Sequence, residues 1–325
     1  MIVDAHAHLV PKELISTIQK ERGRFPSLQL IEEPDGLAMS FAGSKPTRPV
    51  AKGLSDVQGR LAWMDKQGID RQVVGGWVDI FGYQLPAAEG ETWSRLTNEV
   101  LLAAAKAEPR FAPLATVPLQ DGTRAAAVLK AAMRDGFSGT MIATLPRGVG
   151  STLDDPDLDA FWAAADETGA VVHIHPSFDA GDTRVGAYGL ANAVGRISDA
   201  LVAVARLVCS GHATRYPNAK IFAPMGAGGL PFVIGRLQRN AQITPGVADP
   251  IQQLSRVYFD SILHDSRVLR FVVGILGTER LMMGSDSPFP IGDMQPMRIV
   301  EEAGLTADQV ASINGSLAAK LFRLT

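Results

Sequence analysis

Eight short apolar runs, separated by stretches of helical spacing, constrain this chain more than any other feature. They close on residue 3 at the start of the chain and then cover 71–77, 111–117, 139–143, 170–175, 220–223, 257–260 and 281–285. Between them the spacing of apolar residues predicts helices over 11–22, 57–68, 92–106, 124–135, 158–168 and 190–209. Strands that alternate with helices at this interval pair in parallel, and eight of them predict an α/β fold of the (β/α)₈ TIM barrel type, not an open doubly wound sheet. One segment breaks the rhythm. Residues 27–42 alternate, break at Glu33-Pro34-Asp35-Gly36 and alternate again, which predicts a β-hairpin inserted over 27–43, outside the main sheet. With no repeat of fixed period and no Ser/Gly/Pro linker, residues 1–325 are expected to form one domain.

In such a barrel, polar side chains at the C-terminal ends of strands line the mouth where chemistry occurs. The first strand ends in Asp4-Ala5-His6-Ala7-His8, and the two-residue period of a strand aims His6 and His8 to the same side. The fifth ends in His173-Ile174-His175-Pro176, and Asp286 follows the eighth in Gly284-Ser285-Asp286. Three strand ends thus bring imidazoles and a carboxylate together, a donor set that suits a catalytic zinc ion, with manganese as the alternative. Pro176 fixes the end of its strand, so His175 is expected to be the ligand. His173, one layer deeper, is either a hydrogen-bonded support or a core residue. Taken alone, Asp286 would be a turn carboxylate ahead of Ser287-Pro288; beside the histidines it reads as a ligand. His264 follows the seventh strand and either lines the pocket or belongs to the start of the next helix. His212, beyond the long helix, reads as a surface residue.

Composition narrows the partners. Lys+Arg 31 against Asp+Glu 34 gives a net charge of −3 without a basic run, which offers no support for a nucleic-acid or anionic-membrane partner. A small molecule is the expected partner. Cys209 is the single cysteine, so no disulfide can form within the chain and a reducing cytoplasm fits. Asp4 interrupts the first apolar run before a leader could form, and no apolar run approaches ~18 residues.

The chain resembles the amidohydrolase superfamily, in its branch typified by 2-amino-3-carboxymuconate-6-semialdehyde decarboxylase. The resemblance rests on Asp4-Ala5-His6-Ala7-His8, His175-Pro176, the run from Gly226-Ala227-Gly228-Gly229 to Arg236, Phe259-Asp260-Ser261-Ile262-Leu263-His264-Asp265, and Gly284-Ser285-Asp286-Ser287-Pro288-Phe289-Pro290. It implies a divalent metal held by His6, His8, His175 and Asp286. It also implies a homodimer in which Arg236 reaches the neighbouring site to bind a substrate carboxylate. One departure stands out. Where the branch has a proton-handling histidine after the sixth strand, this chain has Met225, whose thioether cannot carry a proton. That role is then expected to pass to Asp286, His173 or His264. The branch's second carboxylate-binding arginine has Arg48 or Lys52 as possible substitutes, and Met225 and Trp77 complete the expected substrate-contacting set. The leading expectation is non-oxidative decarboxylation of a small unsaturated or aromatic carboxylic acid. The alternatives are metal-assisted hydrolysis or hydration of a small carboxylate, and a barrel that binds a small acid with impaired turnover.

Overall fold

The computed structural model describes residues 1–178 and 180–324. Its strands are β1 (Val3–His8), β2 (Leu28–Glu33), β3 (Gly36–Phe41), β4 (Arg71–Gly75), β5 (Phe111–Pro113), β6 (Gly139–Ala143), β7 (Val171–His175), β8 (Lys220–Ala223), β9 (Tyr258–Asp260) and β10 (Leu281–Met282). Strands β1, β4 and β5 form one parallel arc, and β6 to β10 form a second in chain order. Single parallel bridges close the arcs into a ring, Ala115 beside Thr140 at one seam and Ala7 beside Ser287 at the other. The amide of Met141 donates to Ala115 at the first seam, and that of His8 to Ser287 at the second, both at 2.9 Å. The result is the eight-stranded barrel that the alternation predicts.

Two strands fall well short of their apolar runs, and β4 ends two residues early at Gly75. β5 stops at Pro113, which has no N–H to continue a ladder. β10 stops at Met282 because Met283 donates to Ile313, while the amides of Ser285 and Asp286 both turn to the carbonyl of His6. The chain after β10 is thereby folded over the end of β1.

Helix boundaries follow local chemistry. Asp56 and Asp121 accept from the amides of Gly59 and Arg124 to start the helices Val57–Gln67 and Gly122–Asp135. Left-handed glycines 68, 136 and 169 end three of the helices. The helix expected from 92 begins earlier, at Ala87, directly after Pro86. The one expected from 190 opens with a π-turn, Ala191–Gly195, before the α-helix Arg196–Cys209. No helix among the described residues is long and apolar enough to cross a membrane.

The antiparallel hairpin β2–β3 forms its own two-stranded sheet. Its apolar side meets the first crossover helix and the helix after Pro86 in a separate core of Leu14, Ile18, Phe41, Trp77 and Trp93, among others. Trp93 satisfies its indole N–H on the Ile80 carbonyl at 2.8 Å. This second core fixes the segment after the hairpin, which carries Arg48, against Trp77 at the barrel mouth; the Arg48 guanidinium lies 5.3 Å from the Trp77 ring.

Candidate metal centre and its surroundings

At the end of β1 the backbone departs from a regular ladder, three steps from Asp4 to Ala7 matching two from Gln72 to Val74 on β4. This bulge lies next to a buried carboxylate. Asp4 accepts from Gln72 Nε2 at 2.8 Å, the Ser285 amide at 3.0 Å and the Ser285 hydroxyl at 2.5 Å. Burial pushes its carboxyl up, against the pull of those donors. Asp4 is thus the clamp that ties β1 to β4 and to the loop after β10.

His6, His8, His175 and Asp286 converge within this frame, with one donor atom from each lying within 4.8 Å of all the others. The Nδ1 of each imidazole is committed to an acceptor: Asp260 Oδ2 at 2.7 Å for His6, the Gly76 carbonyl at 2.9 Å for His8 and the Pro176 carbonyl at 2.9 Å for His175. A carbonyl or carboxylate accepts, so each Nδ1 carries the proton and each Nε2 offers a lone pair. The Nε2 of His6 is buried without a hydrogen-bond partner. His8 Nε2 faces Asp286 Oδ1 at 3.0 Å, and His6 Nε2 lies 3.7 Å from the same oxygen. Acceptors that face one another this closely need a proton or a cation between them. The donor set therefore fits a first-row divalent ion, with a carboxylate and two carbonyls holding the imidazoles from behind.

Electrostatics prepare the same chemistry. Burial holds His8 below its ordinary value against the pull of Asp286, and burial with the His8 charge holds His175 well below it. Both are neutral ligands at neutral pH. Burial also disfavours charge on His6, yet the hydrogen bond it donates to Asp260 and the charges of Asp260, Asp286 and Asp4 raise it overall. For Asp286 burial acts upward, but its contact with His8 and the charges of the groups around it, His6 and Arg196 among them, win and hold the carboxyl low. It stays ionised. Its backbone is left-handed, at φ 58°, which suits Asp better than most side chains. Gly284 packs closely nearby, since a Cβ there would stand 3.0 Å from His6 Cβ and 3.2 Å from Asp260 Cβ.

The other expected residues are distributed unevenly. His173 is fully buried with both ring nitrogens unpartnered, its ring 4.3 Å from that of His6 and 4.2 Å from that of Phe222. Burial keeps it well below its ordinary value, hence neutral. His264 is exposed, adopts φ 60° and makes no hydrogen bond or ion pair. Trp77 is buried with its indole N–H unpartnered. Lys52 is exposed, whereas Arg48 holds Asp79 through two hydrogen bonds, at 2.9 and 3.2 Å. Arg236 is exposed on the helix Leu230–Ile243. Met225 begins a left-handed turn through Gly229, with φ of 50°, 59°, 65°, 62° and 81° in succession. Its amide donates to Asp260 Oδ1 at 2.6 Å. His212 corrects an expectation: instead of lying on the surface it is buried against Trp162 and Tyr216, with ring centroids 5.5 and 5.6 Å away, and pairs with Ser210 at 2.7 Å. The left-handed Gly211 turns the chain back after the long helix and folds His212 inward.

Two contributors were not among the expected site residues. Asp260 at the end of β9 bonds both His6 and the Met225 amide. Arg196 is 7% exposed and belongs to the electrostatic surroundings of Asp286 and His175. Arg196 had a sequence signal, because it heads the stripe Ala200, Ala203, Val204, Leu207 and Val208 on the buried side of its helix.

A family model described as amidohydrolase matches residues 3–324. A 2-amino-3-carboxymuconate-6-semialdehyde decarboxylase of Dictyostelium discoideum is 26% identical over 307 residues, 92% of this chain and 85% of that protein. The crystal structure of 5-carboxyvanillate decarboxylase from Sphingomonas paucimobilis superimposes with a TM-score of 0.80 at 24% identity, over 100% of this chain and 99% of that one. The 5-carboxyvanillate decarboxylase of Novosphingobium aromaticivorans, in complex with manganese and 4-hydroxy-3-methoxy-5-nitrobenzoic acid, gives 0.81 at 20% identity, over 100% of this chain and 96% of that one.

Proposed function

This chain belongs to the amidohydrolase family, and from that premise we propose that it is a metal-dependent decarboxylase of a small aromatic or unsaturated carboxylic acid, with residues 1–325 acting as one catalytic unit. The observation that carries this reading is the convergence of His6, His8, His175 and Asp286, with each Nδ1 already committed and each Nε2 free to bind. Relatives named as decarboxylases support the reaction class. The four residues would hold zinc, or manganese as in the Novosphingobium relative. When bound, such an ion supplies a Lewis acid that draws electron density from a substrate oxygen and eases the charge left by departing CO₂.

The chain's own groups account for the rest. As the C–C bond breaks, its electron pair stays on the substrate carbon and CO₂ leaves; that carbon then needs one proton. Asp286, ionised at rest, takes that proton from solvent at the mouth, where 13% of its side chain is exposed, and passes it to the carbon, while His173 is sealed in the interior and His264 lies outside the cluster. Met225 contributes its backbone, through the amide that steadies Asp260. Trp77 and Arg48 form one wall, and with Arg48 engaged by Asp79 a substrate carboxylate needs another cation. Lys52, exposed at the start of a short helix, is the cation the sequence offers for that role.

The protein acts as a homodimer in which Arg236 enters the partner's site. Supporting this, Phe232 on the same helix is 83% exposed and joins Val268, Phe271 and Pro231 around an apolar groove of about 570 Å³ that extends to Met225. An exposed apolar patch of this kind is the usual mark of an association surface.

The test is CO₂ release by metal-loaded protein from a panel that includes 5-carboxyvanillate, with Asp286→Asn as the variant. The variant should keep measurable metal through the three histidines and lose about 10²-fold or more in kcat. Near wild-type kcat in Asp286→Asn overturns the proton assignment, and hydrolysis without CO₂ release from any acid overturns the decarboxylase reading.

A further inference from the structure

Three arginines approach the mouth from within the chain, and two of them are already spoken for. Arg60 donates to Gln72 Oε1 at 2.8 Å and to the His8 carbonyl at 2.5 Å, beneath β1. Arg48 grips Asp79. Arg196 is as buried as a core residue, yet it makes no hydrogen bond or ion pair, and its Nε is sealed from solvent without a partner. The carboxylates of Asp286, Asp79 and Asp199 act on its charge without bonding it, which leaves its fork open to an anion that arrives from outside.

The surroundings of Arg196 define that anion. Its guanidinium lies 5.1 Å from the ring of Phe178, whose other cationic neighbour is Arg48 at 4.3 Å. The charges that act on it include Asp286, the carboxylate of the metal cluster. The helix is held one turn further on. Asp199, on the same face of the helix, bonds the Thr144 hydroxyl after β6 and accepts from the Ser177 amide after β7 at 2.8 Å. The helix is therefore fastened to the two strand ends beside the cluster, and the π-turn just before Arg196 is a distortion often found at functional positions.

We propose that Arg196 is the carboxylate-binding residue of this site, supplied by the same chain and suited through its planar fork to an aromatic carboxylate. The assignment rests on the small-acid reading of the same mouth. It gives substrate recognition a component that does not depend on a second subunit.

Titration calorimetry on metal-loaded protein tests it with two probes, salicylate and catechol, which share an oxygenated ring and differ in the carboxylate. Arg196→Ala should bind salicylate about tenfold or more weakly and catechol within about twofold of wild type, with metal content unchanged. Arg196→Lys, which keeps a charge but loses the fork, should fall between. If the alanine variant does not fold, Arg196→Gln carries the same comparison. Unchanged salicylate affinity overturns the assignment, as does an equal loss for both probes, which would mean a structural role. Wild-type protein that binds salicylate no better than catechol overturns the small-acid reading, and this assignment with it.

Discussion

At the end of β1, His6 and His8 both join Asp286, whereas at the end of β7 only His175 does and His173 stays a layer below, packed against His6 and Phe222. Both segments read His-x-His. The backbone separates them. β7 pairs in step with β6 over five residues and with β8 over three, so its two histidines stand two regular residues, about 6.6 Å of strand, apart. β1 carries one extra residue opposite β4, and its imidazole centroids lie 5.3 Å apart. In this chain the His-x-His on the bulged strand delivers two ligands to one point, and the one on the regular ladder delivers one.

The strongest way to break this comparison is to remove one pair and compare it with the other. His6→Ala combined with His8→Ala should abolish tightly bound metal, while His173→Phe should retain close to one equivalent per chain. Elemental analysis of the purified proteins decides it, and metal that survives the double change removes β1 from the site. A smaller effect sharpens the reason His6 differs from His173, since His6 has a carboxylate behind it. Asp260→Asn should preserve the hydrogen-bond geometry but weaken metal affinity by about 10–100-fold, read by competition with a chelator. Equal affinity would reduce Asp260 to a packing role.

The smallest effect separates the histidines by proton linkage in the metal-free protein. His8, His173 and His175 are held below the ordinary value of 6.5 by burial, so the unfolded chain takes up protons that the folded one refuses. Their contribution is complete above about pH 6.5 and is lost as pH falls, at roughly 1.4 kcal/mol per pH unit for each. His6, raised overall, contributes fully below about 6.5 and loses its contribution as pH rises through its folded value, so it does not offset the acid decline. Denaturation midpoints at pH 7.5 and 5.5 should therefore fall less steeply in His173→Phe than in wild type. An unchanged slope would mean that His173 is protonated in the folded state.

The sequence made the barrel legible because apolar strands and capped helices alternate, and the four clustered residues legible because they sit at or just beyond strand ends. Asp260 was within reach of the same argument, since it also ends a strand, but only the fold brings it to His6. Arg196 was harder. Its meaning depends on a contact that is missing, and spacing reports no missing contacts; only its place on an apolar helical stripe hinted at burial. His212 was misread because the turn at Gly211, not the end of the long helix, decides which way it faces. Nothing local marked the commitment of Arg48 to Asp79, 31 residues on.

The left-handed turn from Met225 to Gly229 has a consequence for which substitutions this chain can accept. Non-glycine residues are admitted to that conformation at roughly 1–2 kcal/mol each, and β-branched ones are the most strongly excluded. Asn, Asp and His tolerate it better than most. Position 225 therefore filters residues by backbone shape before any chemistry is asked of them, and valine or isoleucine would be rejected there as a matter of folding. Histidine passes the filter more easily than the methionine already present, so that exchange runs downhill in backbone strain.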